Sequence, residues 1–530
     1  MTEHSADSLP VGVKGPDRAD TPAAGGAVVS RNIAFVARGG GITFAGKMFL
    51  TGVRVVTAVV LARLLQAEQF GMYSLALSAA NIAVAVAIMG LDAALVRYVA
   101  VLANHKEEDA LWGALQLGIG VATLSSLLTG TLLFALAYPA AEMLFGEPQL
   151  APLLQLVSVI VPMLTLSEVL AGAMRGFKRM DYATLAQFII QPVIRLAMIA
   201  ILALGGFSAA EAIITFGLAD LAASFILLYF LHKQFGLRRP LRGARRDARA
   251  IMAFSVPVWL SDMMVKFHSN FQTLILGTLN TIAGVGVFTV ASQVTMISGQ
   301  FSSSINVSAK PIIAELHDRG DLPEMGRLYQ TANKWGVTAQ LPVFLLMLLF
   351  PQQILSIFGQ SFTDGAVALI ILSVSALILV GTGMGGIIID MTGHTRLKLF
   401  NSIARLAIFL SFDVLLIPRW GVTGAATAAL IGEASVNLLR LGQVYYLFRL
   451  LPYNRDFLKP VSAALAGLLA ALVVGRWLPP GGSLVNAAIG AAVLLAVYGG
   501  LVLRLGFSAE ERAMIQTARR KASSKLKSKH

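Results

Sequence analysis

Apolar stretches about 20 residues long recur along the whole sequence, separated by short polar or Gly- and Pro-rich segments. Because ~20 apolar residues in a helix cross the ~30 Å hydrocarbon core of a bilayer, each stretch predicts a membrane helix. We predict fourteen such helices, at residues 40–65, 71–97, 112–137, 151–174, 182–204, 211–232, 253–278, 284–309, 335–350, 366–390, 398–417, 422–447, 460–478 and 484–503. The ninth is short and is expected to begin inside the polar segment before it. The pattern predicts an all-α polytopic membrane protein.

The two halves of the chain resemble each other at a nearly constant offset. Residues 71–76 (GMYSLA) match residues 286–291 (GVFTVA), residues 195–197 (RLA) recur at 405–407, and Asp220 corresponds to Glu433. Such parallel repeats are typical of transporters with a site between two halves. We therefore predict a cytoplasmic disordered tail (1–32), an N-lobe of helices 1–6 (33–235), a basic linker (236–250), a C-lobe of helices 7–12 (251–450), helices 13 and 14 (451–505) and a basic tail (506–530).

Composition agrees with a membrane protein. Hydrophobic residues make up 56% of the chain and charged residues 13%, and the mean hydropathy is +0.74. Soluble proteins carry roughly 25% charged residues, so the composition excludes a chain built from several soluble domains. The chain has no cysteine, which excludes disulfides and thiolate sites.

The formal net charge of +14 is distributed unevenly between the predicted loops. If both termini are cytoplasmic, cytoplasmic segments hold 33 of the 42 Lys and Arg residues and external loops hold three. This distribution follows the positive-inside rule and predicts a multi-pass membrane protein with both termini cytoplasmic. The loop charge then reports topology and contact with anionic membrane lipids, and no nucleic-acid partner is expected.

Six basic residues belong to neither set of predicted loops, and five acidic residues lie at similar depth in the membrane. They are Lys47, Arg54, Arg195, Lys266, Arg405 and Arg440, with Glu168, Asp220, Asp262, Asp413 and Glu433. A buried charge in a bilayer costs at least ~2.5–3.5 kcal/mol, so each one needs a partner or water. We predict two structural ion pairs between adjacent helices, Arg195 with Asp220 and Arg405 with Glu433, with a proton relay as the alternative. Arg440 is left without an assigned partner.

Lys47 and Arg54 are seven residues apart and share one face of the first helix, which contains no acid. With Lys266 they are candidates for binding an anionic ligand in a hydrated cavity, because Lys and Arg are the usual partners of phosphate oxygens. The alternatives are pairing of Lys47 and Arg54 with Asp262 or another acid across the bundle and, for Lys266, a local pair with Asp262 four residues before it.

The seventh helix has the most polar interior of the fourteen. Asp262, His268, Asn270 and Gln272 are candidates for polar cavity lining or for coupling to H⁺ or Na⁺. We expect no metal and no other cofactor, and no Walker-type phosphate loop is present in the sequence.

Several segments together resemble the bacterial polysaccharide flippases, members of the multidrug/oligosaccharidyl-lipid/polysaccharide exporter superfamily. They are residues 62–65 (ARLL), 70–73 (FGMY), 90–97 (GLDAALVR), 175–176 (RG), 301–304 (FSSS) with Pro311 and residues 320–321 (GD), 393–396 (GHTR) and 420–426 (WGVTGAA). The resemblance covers roughly residues 30–505.

This resemblance implies a flippase that moves an undecaprenyl-diphosphate-linked oligosaccharide, a polysaccharide repeat unit, to the external leaflet by alternating access. It implies a cavity lined mainly by helices 1, 2, 7 and 8, with the diphosphate near Lys47, Arg54 and Lys266. It also implies that the protein lies in the bacterial cytoplasmic (inner) membrane. Polysaccharide polymerase machinery is an implied partner, and no enzymatic activity is expected.

Two other functions stay open at this point. A drug or metabolite cation antiporter of the extrusion type would need acidic cavity walls, whereas the first helix carries two cations. A membrane glycan polymerase or ligase would need catalytic groups on a sizeable loop, and the longest predicted external loop (351–365) has Asp364 as its one ionisable residue.

Overall fold

The computed structural model describes residues 22–236, 247–477 and 484–505. Side chains are described within these ranges from residue 51 onward, apart from residues 180, 261–262, 264–266, 268–269 and 505. Most of the predicted amino-terminal tail, most of the basic linker and the basic carboxy-terminal tail lie outside these residues. The predicted domain boundaries stay a prediction.

Helices account for nearly all of the described chain. The first half contains α1 (Pro22–Ala87), α2 (Leu91–His105), α3 (Glu108–Pro139), α4 (Leu150–Gly176), α5 (Met180–Thr184), α6 (Gln191–Leu202) and α7 (Ala209–Phe235). The second half contains α8 (Ala248–Leu279), α9 (Ile282–Ser298), α10 (Gln300–Asp318), α11 (Leu322–Leu349), α12 (Pro351–Ser356), α13 (Ala366–Gly381), α14 (Gly385–Met391) and α15 (Thr395–Phe448). Two helices follow, α16 (Leu458–Trp477) and α17 (Leu484–Leu505).

The predicted all-α membrane architecture is confirmed. Within the described residues, nine helices are long and apolar enough to cross a membrane, or ten when the bent pair α9 and α10 counts as one span. Helix α1 breaks at Gln66 (φ 59°) and α15 breaks at Gly421 (φ 54°), so each comprises two successive segments. The arrangement is consistent with the fourteen predicted helices. The ninth predicted helix corresponds to α11, which begins at Leu322, inside the preceding polar segment as expected. At its start the Asp321 carboxylate accepts a hydrogen bond from the Glu324 backbone amide.

The structure also contains helix breaks that hydrophobicity does not predict. The second predicted helix is interrupted at residues 88–90, where Met89 and Gly90 have positive φ, and α9 and α10 meet at 51°. The fifth contains a π-helical segment (Leu185–Ile190) before Pro192, which has no amide hydrogen to donate. The segment predicted as an external loop, 351–365, contains α12 and a 3₁₀ turn (Gln360–Gly365).

One hydrophobic core joins the two halves of the chain. It includes Phe70 and Leu75 of α1, Val290 of α9 and Phe362 of the 3₁₀ turn. Helices α16 and α17 pack against each other and against α11, where the Tyr498 hydroxyl donates to the Thr338 carbonyl at 2.7 Å. The shared core positions α1 and α9 at the boundary between the halves.

Candidate functional site

A cavity of about 480 Å³ lies between the two halves of the molecule. Before the break at Gln66, α1 lines the cavity with Arg54, Ala58 and Leu61 at helical spacing. The part of α1 after the break also lines the cavity. The lining residues are Thr51, Arg54, Val55, Thr57, Ala58, Leu61, Phe70, Tyr73, Ser74, Leu77, Ser78, Asn81, Gln191, Pro192, Arg195, Phe216, Thr273, Thr289, Gln293, Met296, Ile297, Gln300 and Phe358. We call this space the central cavity.

Two arginines face the central cavity. The Arg195 guanidinium donates to the Tyr73 hydroxyl and lies over the Phe216 ring, 4.8 Å from its centroid. Arg54 is exposed, with its Cζ atom 5.9 Å from the centroid of Phe188. Neither forms an ion pair with an acid whose side chain the structure describes. Among the described lining residues there is no carboxylate, so this part of the wall is cationic and hydrogen-bonding.

The predicted ion pair between Arg195 and Asp220 is not formed. Arg195 contacts α7 at Phe216, and Asp220 lies four residues further along, about one helical turn or ~6 Å away. Both residues are described, and the Asp220 Oδ2 atom is buried without a hydrogen-bond partner. The structure therefore places Arg195 in the central cavity, contrary to the structural role predicted for it.

The ion pair between Arg405 and Glu433 is present within α15, joining the segments before and after Gly421. Glu433 also accepts a hydrogen bond from the Asn437 amide at 3.1 Å. The Arg405 side chain is 30% exposed and that of Glu433 16%. The contact joins two successive antiparallel segments, as a structural pair would.

We expect Glu433→Gln to destabilise the protein by about 1–2 kcal/mol, because Arg405 would lose its counterion but is partly exposed, so the cost lies between those of a surface and a buried ion pair. The charge swap Arg405→Glu with Glu433→Arg should restore most of this loss. The unfolding midpoints of the three proteins in detergent provide the test. If the single variant is as stable as the native chain, the pair is not structural.

Of the other predicted site residues, the side chains of Lys47, Asp262, Lys266 and His268 lie outside the described residues. Asn270 accepts a hydrogen bond of 3.4 Å from Asn81 and so connects α8 with α1 at the central cavity.

Gln272 is placed differently from Asn270. It is buried, and its amide donates at 3.0 Å both to Asp413 and to the carbonyl of Ala425. Gln272 therefore contacts α15 and is not a lining residue of the central cavity.

Two glycines allow α1 and α9 to cross with their backbones in contact. A Cβ atom on Gly71 would lie 2.0 Å from the Ile282 carbonyl oxygen, and one on Gly286 would lie 2.1 Å from the Ala67 carbonyl oxygen. The contacts are reciprocal, since each carbonyl belongs to the residue four positions before the other glycine. The sequence match between residues 71–76 and 286–291 marks this crossing, although the match alone did not reveal what it does.

Further contacts join the halves at the same end. The Arg63 Nε atom donates to the Ile357 carbonyl at 2.8 Å, and the Ser361 hydroxyl donates to Gln66 at 3.1 Å. The rings of Phe70 and Phe362 meet edge to face with centroids 5.8 Å apart. We call these contacts, with the glycine crossing, the external closure, because the charge distribution predicts that this end is external.

Similar folds are known among solved structures. The lipid II flippase MurJ in an inward closed conformation aligns with 88% of this chain and 99% of its own, with a TM-score of 0.68 at 12% identity. A multidrug resistance transporter of the MATE family, in its inward-facing conformation, aligns with 76% of this chain and 94% of its own, with a TM-score of 0.65 at 17% identity. An outward-facing MATE transporter gives a lower TM-score of 0.54. These likenesses show the fold.

Relatives are also recognisable by sequence. Stage V sporulation protein B of Bacillus subtilis is 22% identical over 73% of this chain and 79% of its own length. The capsular polysaccharide biosynthesis protein CapF of Staphylococcus aureus is 23% identical over 42% of this chain. The CapF match spans 55% of the length of CapF, little more than half of that relative.

Two families match the sequence directly. The MatE family matches residues 257–415, within the second half. The polysaccharide biosynthesis protein family matches residues 36–317, more than half of the chain and most of the described central cavity. By this match, with the MurJ-like fold around a cationic cavity, the chain belongs to the polysaccharide biosynthesis protein family.

Proposed function

We propose that this protein is a flippase that moves a lipid-diphosphate-linked oligosaccharide, a polysaccharide repeat unit, from the cytoplasmic to the external leaflet by alternating access. The observation that carries the proposal is the pair Arg54 and Arg195 in a central cavity with no carboxylate among its described lining residues. The likeness to MurJ, a lipid II flippase, and to CapF, a capsular polysaccharide biosynthesis protein, supports the same class of substrate.

The cavity wall suits the polar head of such a substrate. Guanidinium groups bind phosphate oxygens through two parallel hydrogen bonds, and a diphosphate offers such oxygens on both phosphorus atoms. Gln191, Gln293 and Asn81 provide amide groups at the same cavity that can exchange hydrogen bonds with sugar hydroxyls. In the proposal Arg54 and Arg195 bind the diphosphate, with Lys47 and Lys266 as further candidates.

The external closure supplies one of the two states that alternating access needs. With Gly71 and Gly286 in backbone contact, a ligand in the central cavity is separated from that end of the molecule. Transport then requires α1 and α9 to separate there while the opposite end closes. Coupling of this cycle to H⁺ or Na⁺ remains a proposal, for which Asn270 and Gln272 give no direct support.

The alternative functions are less well supported. A cation antiporter would hold its substrate with carboxylates, and the described wall of the central cavity has two arginines in that place. A glycan polymerase or ligase would need catalytic acids or bases at an external segment. Asp364 is the one ionisable residue of segment 351–365, most of which is helical.

Deletion of the gene tests the function directly. We expect lipid-linked oligosaccharide to accumulate on the cytoplasmic side of the bacterial inner membrane, and the native gene to restore export. The measurement is the amount of lipid-linked oligosaccharide protected from a glycosidase added outside intact spheroplasts. Unchanged protection in the deletion strain, or glycosyl transfer by the purified protein, would overturn the proposal. A polymerase partner and anionic lipids would be sought by co-purification.

A further inference from the structure

A second polar cavity lies wholly inside the second half of the molecule. It has a volume of about 290 Å³ and shares no lining residue with the central cavity. The lining residues are Asn306, Leu379, Gly383, Met384, Gly386, Ile387, Ile389, Asp390, Lys398, Asn401, Ser402, Arg405, Leu406, Asn437 and Arg440. We call it the C-half cavity. An adjoining space of about 310 Å³ shares six lining residues with it, among them Asn306 and Asp390, and adds Lys310.

The C-half cavity carries an excess of positive charge. Lys398 pairs with Asp390 at 3.2 Å, and Arg405 pairs with Glu433. The third cation, Arg440, forms no ion pair with any residue that the structure describes. With Glu433 counted as the partner of Arg405, and Lys310 of the adjoining space left aside, three cations face two acids. The cavity therefore has one uncompensated positive charge inside a membrane-embedded bundle. Such a charge is costly unless water or an anion reaches it.

Hydrogen-bond donors at the cavity also lack acceptors. The Arg405 Nε atom is buried and has no hydrogen-bond partner in the described part of the chain. Asn306, which lines both adjoining spaces, has no side-chain hydrogen bond to a described residue. With the Arg440 guanidinium, these groups provide donors from α10 and from both segments of α15 around one volume.

Helix α14 leaves room for the Arg440 head group. Gly385 and Gly386 begin this helix, and a Cβ atom on Gly386 would lie 3.5 Å from the Arg440 Cζ and Nη1 atoms. A longer side chain at Gly386 would occupy the space beside the guanidinium. Gly386 therefore leaves space beside the Arg440 guanidinium at the cavity wall.

We propose that the C-half cavity binds a phosphate group carrying a single negative charge. Converging guanidinium, guanidinium Nε and amide donors match the oxygens of a phosphate, and one negative charge balances the cavity. The volume is at the lower limit of small-molecule sites, which usually enclose ~300–1,000 Å³, so it fits a phosphate or a small head group. This site is separate from the proposed transport cavity.

The phosphate can come from two sources, a phosphodiester lipid head group or free inorganic phosphate. Lys398 is exposed near the start of α15, and Asp390 lies near the end of α14. The charge distribution predicts that this end is cytoplasmic. Either source would therefore enter from the cytoplasm or from the inner leaflet, and the chemistry of recognition is the same for both.

Thermal unfolding of the purified full-length protein in neutral detergent tests the site. The probes are inorganic phosphate, at ionic strength matched with chloride, and phosphatidylglycerol in mixed micelles, with zwitterionic phosphatidylcholine as the reference lipid. We expect saturable stabilisation by at least one probe. Arg440→Gln should raise the half-saturating concentration at least tenfold, because a charge-assisted hydrogen bond contributes ~1.5–3 kcal/mol. Arg396→Gln is the matched control, an exposed cation at the same end of α15 that does not line the cavity.

The two probes distinguish the sources. Stabilisation by inorganic phosphate that Arg440→Gln weakens and Arg396→Gln preserves supports a free-anion site, and the same pattern with phosphatidylglycerol alone supports a lipid head-group site. Absence of saturable stabilisation by both, or an equal response in Arg440→Gln and the native protein, overturns the proposal. If Arg440→Gln does not fold, Asn306→Ala takes its place, and the same weakened stabilisation by the probes is expected. None of these readouts depends on transport, so failure here leaves the proposed function untouched.

Discussion

Arg195→Gln is expected to reduce export of lipid-linked oligosaccharide at least tenfold while the protein remains folded and inserted. Arg195 lies in the central cavity without an acidic partner among the described residues, and its contacts are the Tyr73 hydroxyl and the Phe216 ring. Removing the guanidinium would remove charge-assisted hydrogen bonds to the diphosphate, each contributing ~1.5–3 kcal/mol. A loss of 1.4 kcal/mol corresponds to about a tenfold change in binding. Complementation of the deletion strain, normalised to the amount of membrane-inserted protein, measures the effect.

Three companion variants separate an anion-binding role from a structural one. Arg195→Lys keeps the charge and should retain part of the activity, whereas Arg54→Gln with Arg195→Gln should lose more than either change alone. Arg476→Gln, an exposed cation near the end of α16 that does not line the central cavity, is the matched control and should be fully active. If Arg195→Gln and Arg54→Gln both export normally, the central cavity does not bind the diphosphate through these residues.

Gly286→Ala is expected to prevent the external closure and to reduce export by a similar factor. The added methyl group would stand 2.1 Å from the Ala67 carbonyl oxygen, and because this neighbour is backbone, α1 and α9 must move apart. A transporter that cannot close one end cannot complete the cycle. Gly120→Ala is the matched control, because nothing lies within 4 Å of a Cβ atom at Gly120 in α3.

The absence of native cysteines makes the state of the closure measurable. A single cysteine at Ser78, which is buried and lines the central cavity, should react slowly with a membrane-impermeant maleimide added from outside. Addition of Gly286→Ala should make this cysteine react readily, and Gly120→Ala should not. Equal labelling in all three proteins, with normal export by Gly286→Ala, would show that the glycine crossing does not control access.

The membrane helices could be predicted from the sequence because bilayer thickness sets their length, and a run of hydrophobic side chains of that length marks each one. The breaks within them could not. The π-helical segment before Pro192 and the turn at Met89 and Gly90 depend on local backbone hydrogen bonds, which hydrophobicity does not encode. The early start of α11 was predictable since Asp321 and the following Pro323 are typical of a helix start.

The candidate site was predicted in part. Arg54 could be placed at a cavity because a cation on the first helix had no local acid. Arg195 was assigned to Asp220 from the repeat, but correspondence between halves does not determine which residues of neighbouring helices meet side by side. The Arg195 guanidinium contacts Tyr73, 122 residues earlier, on a different helix. The packing of neighbouring helices, which the sequence does not show, therefore places the Arg195 guanidinium in the central cavity and not in an ion pair.

The crossing at Gly71 and Gly286 also bears on how fast the transporter opens. At the two glycines the helices meet backbone to backbone, so neither glycine adds a side chain that must change rotamer before the helices separate. The activation barrier to opening would then come mainly from the surrounding contacts, namely the shared hydrophobic core, the Arg63 hydrogen bond to Ile357 and the edge-to-face rings of Phe70 and Phe362. Turnover could thus be tuned at the rim of the closure, through Arg63 and Ile357, which do not line the central cavity, without altering how tightly the substrate is held.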